Sequence, residues 1–134
     1  MTIEFLIPGQ PQGKGRPRAT TIGGHARMYT PSKTRGYERT IWASYREAGG
    51  GMLYGNLQMR IVAVRKIPAS MSKKRQADLR GRFCRSKPDI DNIIKVLCDA
   101  LNGVAYEDDS QVVEVSAKKI WGDEPHVWVE IREQ

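Results

Sequence analysis

The chain has 134 residues, 22 Lys and Arg against 15 Asp and Glu, a formal net charge of +7, 40% hydrophobic and 28% charged residues. That length suits a single compact domain and leaves no room for a second, and the composition is too apolar for a chain disordered throughout. No apolar run approaches the ~20 residues that cross a bilayer, and Thr2 to Ile7 carries Glu4 with no basic region before it, so the expectation is a cytoplasmic protein without membrane association.

Thr2 to Ile7 is apolar and β-branched enough for a first strand, ended by Pro8-Gly9. Pro8 to Arg18 holds three prolines and three glycines among its basic residues and reads as an extended loop. Between Ser32 and Ala48, Tyr37, Ile41, Tyr45 and Ala48 recur at helical spacing until Gly49-Gly50-Gly51 stops the pattern. Leu57 to Ile67 alternates as a strand closed by Pro68, and Ser72 to Gly81 is a short polar helix with few apolar positions. A second amphipathic helix follows, with Ile90, Ile93, Ile94, Leu97 and Leu101 on one stripe, Asp89 where an N-cap would sit and Asn102-Gly103 as its stop. It is expected to be the central buried element. Gln111 to Trp121 and His126 to Arg132 read as strands, and the turn composition Gly122-Asp123-Glu124-Pro125 suits a hairpin between them. The element order predicts a single small α/β (α+β) domain, a mixed β-sheet with packed helices, spanning residues 1–134.

The charge is segregated. Residues 1–87 hold 18 Lys and Arg and 4 Asp and Glu, whereas residues 88–134 hold 4 and 11. Clustered cations gain affinity for phosphates largely by releasing counterions, so a polyanion, nucleic acid first, is the expected partner of the basic part. Lys14, Arg16 and Arg18 form one cluster; Lys73, Lys74, Arg75, Arg80, Arg82, Arg85 and Lys87 form another. Cys84 and Cys98 stand in no paired spacing and only His25 and His126 could join them, which argues against a disulfide scaffold or a zinc site. Neither histidine has a nucleophile motif beside it, so Ser/His/Asp catalysis is poorly supported.

The densest chemistry lies in Lys87-Pro88-Asp89-Ile90-Asp91-Asn92-Ile93-Ile94-Lys95 and in Asp108-Asp109-Ser110-Gln111. Asp89 and Asp91 cannot share a face of a regular helix, but the extended geometry of an N-cap lets Asp89 turn back so that both face one cation. Hard cations such as Mg²⁺ prefer a few carboxylates with water and phosphate completing the shell. Lys95 is one turn beyond Asp91, where a phosphate could bridge metal and ammonium. An ordinary N-cap and an ordinary i,i+4 pair would account for either aspartate alone. An EF-hand loop does not fit, because the position that should be glycine is not.

The ordered set Asp89-x-Asp91-Asn92-x-x-Lys95, Asp99-Ala100-Leu101-Asn102-Gly103, Asp108-Asp109-Ser110-Gln111-Val112 and Lys118-Lys119 resembles the RusA family of Holliday-junction resolvases, often carried by prophages. Lys14-Gly15-Arg16-Pro17-Arg18 is similar to a stretch in many members. The resemblance implies a Mg²⁺-dependent homodimer, with Mn²⁺ a possible substitute, that nicks opposing strands of a four-way DNA junction in recombination and repair. It implies Asp89, Asp91 and Asp109 as metal ligands and Lys95 as the catalytic lysine; Asp99, four residues on, reads as a partner of Lys95 rather than a ligand. Pro88 stands where some members carry arginine, which makes Arg85 or Lys87 the candidate for that phosphate contact, beside Lys14, Arg16 and Arg18 on DNA. A dimer could use apolar positions of the last two strands, among Val113, Val115, Trp121, Trp128 and Ile131, although core packing competes for most of them. Two alternatives stay open: a DNA-binding architectural protein that cuts nothing, and a metal-dependent nuclease without junction preference.

Overall fold

The computed structural model describes residues 1–15, 18–29 and 31–134. Its main sheet has four strands in the order β1 (Thr2–Pro8), β6 (His126–Glu133), β4 (Leu57–Lys66), β5 (Val112–Gly122). β6 runs antiparallel to both neighbours, and β4 and β5 are parallel. A two-stranded ribbon, β2 (Arg18–Ile22) with β3 (His25–Tyr29), stands apart from it. The helices are α1 (Ser32–Glu47), α2 (Lys73–Leu79) and α3 (Ile90–Leu101). The architecture is the expected α+β domain with a mixed sheet.

Cross-strand register puts the apolar residues of three strands in rows on one face. Phe5 is opposite Val129, which is opposite Ile61; Ile7, Val127 and Ala63 make the next row. All six are buried, and α1 and α3 cover them with Tyr37, Ile41, Tyr45, Ile93, Val96, Leu97, Ala100 and Leu101. The Phe5 and Tyr45 rings meet edge to face at 5.3 Å, a geometry aromatic quadrupoles favour. On the opposite face Arg60 pairs with Glu130 at 3.4 Å and lies over the Trp128 ring. α2 buries nothing, as its polar sequence predicts, and is capped by the Ser72 hydroxyl.

Three sequence expectations need correction. The last two strands do not form a hairpin: β4 lies between them, bonded to both. The physical reason is burial, since Leu57, Met59, Ile61, Ala63 and Val64 are all buried and need a central strand, whereas every described side chain of β5 is at least partly exposed. The buried stripe of α3 runs through Ile93, Val96, Leu97, Ala100 and Leu101; Ile90 is 38% exposed and faces a groove instead. The β2–β3 ribbon was not anticipated, although Gly23-Gly24, both at positive φ, is the two-residue turn that suits a hairpin. Of the apolar positions offered for a dimer, Ile131 is in the core, whereas Val113 and Val115 are exposed. No helix among the described residues is long and apolar enough to cross a membrane.

Candidate active site

The site is assembled at the start of α3. Asp89 is the N-cap in extended geometry, yet its carboxylate makes no capping hydrogen bond. It takes the Lys87 ammonium instead, at 2.8 and 2.9 Å to its two oxygens. That hydrogen bond, helped by the Lys87 and Lys119 charges, holds the Asp89 carboxyl below the usual aspartate range. Asp89 and Asp91 border one open groove with Phe83, Ile90 and residues 117–119. Both are exposed, so neither carboxylate is sequestered in the fold.

The approach to α3 is fixed by residues that the sequence reading did not assign to the site. Lys119 is in register with Ala63, which places it on the helix-covered face. Its ammonium donates to the carbonyls of Ser86 at 2.7 Å and Pro88 at 2.9 Å. The Arg65 guanidinium donates to the Lys87 carbonyl. The segment 86–88 is therefore held from beneath by two cations before Asp89 begins the helix. Behind it, Phe83 bridges Ile120, and the Cys84 amide donates to the Lys119 carbonyl at 2.9 Å, so the incoming chain adds a short strand to β5. A motif scan registers Lys118-Lys119 as two charges; only the strand parity separates the inward lysine from its neighbour.

The loop 11–15 closes over α3 from the other side. The Lys14 amide donates to the Asn92 carbonyl at 3.1 Å and the Gly15 amide to the Thr34 hydroxyl at 3.0 Å. Glycine is required at both contacts: a Cβ on Gly13 would stand 2.8 Å from the Asn92 Cβ, and one on Gly15 would stand 2.4 Å from the Thr34 Oγ1. The Lys14 side chain runs inward, its Nζ 3.4 Å from both Glu38 Oε1 and Asp99 Oδ2. Lys95 Nζ lies 3.9 Å from the same Asp99 oxygen and is largely exposed. Between this loop, the start of α1 and Lys87-Pro88 is a cleft of about 510 Å³ whose lining includes the cations Lys33, Arg65 and Lys87. Arg85 is exposed and makes no ion pair with a described residue. Arg16 and the Arg18 side chain lie outside the described parts.

Asp109 opens the 3₁₀ turn Asp109–Gln111. Asp108 and Gln111 cap this turn reciprocally, with the Gln111 Oε1 accepting from the amides of Glu107 and Asp108 at 3.0 and 3.2 Å. In Asp108-Asp109-Ser110-Gln111 the outer residues thus hold the turn and Asp109 is left unengaged by it. The Asp109 charge is felt at Cys98 and Tyr106, where it adds to burial in raising the thiol and the phenol. Among the described residues no three His, Cys, Asp or Glu side chains are close enough to share one cation. The structure brings Asp89 and Asp91 to one groove and does not bring Asp109 into it.

As donors, two exposed carboxylates at a helix start, flanked by cations, fit a hard dication that takes one or two protein oxygens and leaves its remaining positions to water and phosphate. A family model described as "Endodeoxyribonuclease RusA" matches residues 8–132. An "Uncharacterized protein YqaN" of Bacillus subtilis (strain 168) is 34% identical over 136 residues, covering 98% of this chain and 96% of the relative.

Proposed function

This chain belongs to the RusA endodeoxyribonuclease family, and on that premise we propose that it is a Mg²⁺-dependent nuclease that resolves four-way DNA junctions by paired nicks, acting as a homodimer in DNA recombination and repair. The observation that carries the reading is the groove at the start of α3, where Asp89 and Asp91 stand exposed with Lys95 one turn further along the helix.

Asp89 and Asp91 would hold the ion, with Asp109 as the third carboxylate that the family resemblance assigns. When bound, Mg²⁺ supplies Lewis acidity at the scissile phosphate and lowers the pKa of a bound water. The chain's own residues do the rest. Lys95, with a largely exposed ammonium, offsets negative charge that develops on the phosphate oxygens. Lys87, which pairs with Asp89 in the free protein, is largely exposed and would be placed to meet a DNA phosphate beside the residues that would hold the ion. Arg85 and the cations of the neighbouring cleft, Lys33 and Arg65, extend the positive surface along the strand, and the family resemblance adds Arg16 and Arg18 as DNA contacts. A single 134-residue domain supplies one carboxylate pair, so two nicks related by two-fold symmetry call for two copies.

The test is a nicking assay on four-way junction, flap and linear duplex, with Mg²⁺, with Mn²⁺ and with chelator, run on wild type and Asp91→Asn. The expected result is junction-selective cleavage that needs the dication and disappears in the variant, while junction affinity holds or rises because a repelling charge is gone. Junction binding without cleavage in wild type would favour an architectural protein. Equal cleavage of all three substrates would favour a general nuclease. Mixing wild type with Asp91→Asn should yield heterodimers that nick one strand and rarely complete resolution; a stable monomer that makes paired cuts would refute the dimer.

A further inference from the structure

Lys14, like Lys119, turns its charge inward, but among the described ion pairs it alone places its ammonium between two carboxylates. Its side chain is only 16% exposed, and its ammonium lies between Glu38 of α1, itself 13% exposed, and Asp99 of α3. Lys95 approaches the same Asp99 oxygen from the solvent side. The four groups form an alternating chain, Glu38, Lys14, Asp99, Lys95, that ends on an exposed ammonium one turn from Asp91. The backbone reinforces it, since Lys14 is flanked by the two glycines whose close approach to α3 and α1 leaves no room for a Cβ.

We propose, resting on the nuclease reading above, that Lys14 is a positioning residue for Lys95 and not a DNA contact: by holding the Asp99 carboxylate from the inside, it keeps Lys95 only loosely paired and free to reach a phosphate. The shared oxygen is the crux. Asp99 divides its attraction between two cations, the inner one closer at 3.4 Å and the outer one at 3.9 Å. Without Lys14, the carboxylate has Lys95 as its remaining cation among the described residues, and the lysine is drawn along the helix away from the groove. A charge-neutral side chain at position 14 would therefore slow the chemical step without weakening the DNA complex. A surface lysine on a phosphate would do the reverse.

The test compares Lys14→Gln and Lys14→Arg with wild type. The Gln variant should lose about tenfold or more in kcat with KM within about twofold, and Arg, which keeps the charge between the two carboxylates, should recover most of the rate. Junction affinity measured in chelator against salt should keep the wild-type slope, because a lost phosphate contact would lower it by about 0.9. The Lys95 side-chain methylene resonances in the metal-free protein should shift in the Gln variant and return in the Arg variant. A shallower salt slope with kcat unchanged would make Lys14 a phosphate contact and overturn the proposal, as would a Gln variant identical to wild type. Because Gln removes the Lys14 ion pair from Glu38, Lys14→Gln with Glu38→Gln is the matched variant if the single one fails to fold; failure of both would make Lys14 a stability element and sink the positioning role. If wild type cuts no DNA while the Lys95 resonances still respond to Lys14→Gln, the nuclease reading fails and the charge relay stands.

Discussion

Replacing Lys119 with methionine separates positioning from charge, because the preceding residue, Lys118, is a lysine of opposite fate. The Lys119 ammonium makes two charge-assisted hydrogen bonds to the carbonyls of Ser86 and Pro88. Such bonds contribute roughly 1.5–3 kcal/mol each. Both carbonyls belong to partly exposed residues that can recruit water, so the lower end applies and the loss should be about 3 kcal/mol. For a domain of 134 residues, with an unfolding entropy of roughly 2.1 cal/mol/K per residue, that is a fall in Tm of about 10 °C. Lys118→Met removes an exposed charge and should stay within about 0.5 kcal/mol. The assay is thermal and urea unfolding of both variants beside wild type, followed by junction nicking at a temperature where Lys119→Met is still folded. Nicking should fall about 100-fold, since a displacement of ~1 Å in a group that positions a reacting phosphate costs that much. Equal stability of the two variants, or full nicking by Lys119→Met, would refute the claim that this lysine holds the segment from which Asp89 departs.

Gly13→Ala should cost about 1–3 kcal/mol, as the new methyl would stand 2.8 Å from the Asn92 Cβ and 3.3 Å from the Pro88 Cβ; a neutral result in urea unfolding would mean that the loop does not lie this close to α3. Tyr37 is buried, and among the described residues its hydroxyl has no partner at good hydrogen-bond geometry; burial pushes its pKa up to about 12, with the nearby Gln12 backbone offsetting only part of the rise. Its folded value lies above the unfolded one, so its contribution is complete below pH ~10 and is lost across pH ~10–12, amounting to at most about 2–3 kcal/mol. Tyr37→Phe should be neutral or slightly stabilising at pH 7 and should lack that share of the alkaline loss; an alkaline limb identical to wild type would contradict this. Asp89 has the opposite sign: its carboxyl is held low by Lys87, so the pair supports the fold above the ordinary aspartate range and is withdrawn as pH falls through the lowered value. Lys87→Met should move the Asp89 midpoint upward in a carbon-13 NMR titration, and an unmoved midpoint would show that the pair does not form in solution.

How far the sequence carried is best judged from particular elements. α1 and α3 were legible because a helix that buries one side must repeat its apolar residues, and Asp89 as N-cap followed from residue type alone. The pairing partner of a strand leaves no such mark. Gly122 to Pro125 looks like a hairpin turn, and whether a third strand lies between the two it joins depends on how much apolar surface β4 must bury on a sheet assembled from distant segments. The same limit applies to side-chain roles. Lys14 and Arg16 are two residues apart in one basic motif, and only the tertiary approach of α1 and α3 shows that Lys14 faces inward. Asp89 and Asp91 meet at one groove because they are neighbours at a helix start. Asp109 belongs to a separate turn, so its place relative to the pair is set by the fold rather than by the motif.

The pairing of β1 with β6 joins segments from opposite ends of the described chain, Pro8 opposite His126 and Thr2 opposite Arg132. During synthesis β1 therefore emerges long before its partner β6. Until then Phe5 and Ile7, both buried in the finished protein, have no sheet to join, and closing the intervening loop of ~120 residues costs about 2 kcal/mol more in chain entropy than a ten-residue hairpin would. The inner face of the sheet can grow outward from β4, which meets β5 and β6 at shorter range, but its rim is completed last. A ribosome-bound chain halted before β6 would hold an apolar strand exposed to other chains, and the speed with which β6 is delivered governs how long that exposure lasts.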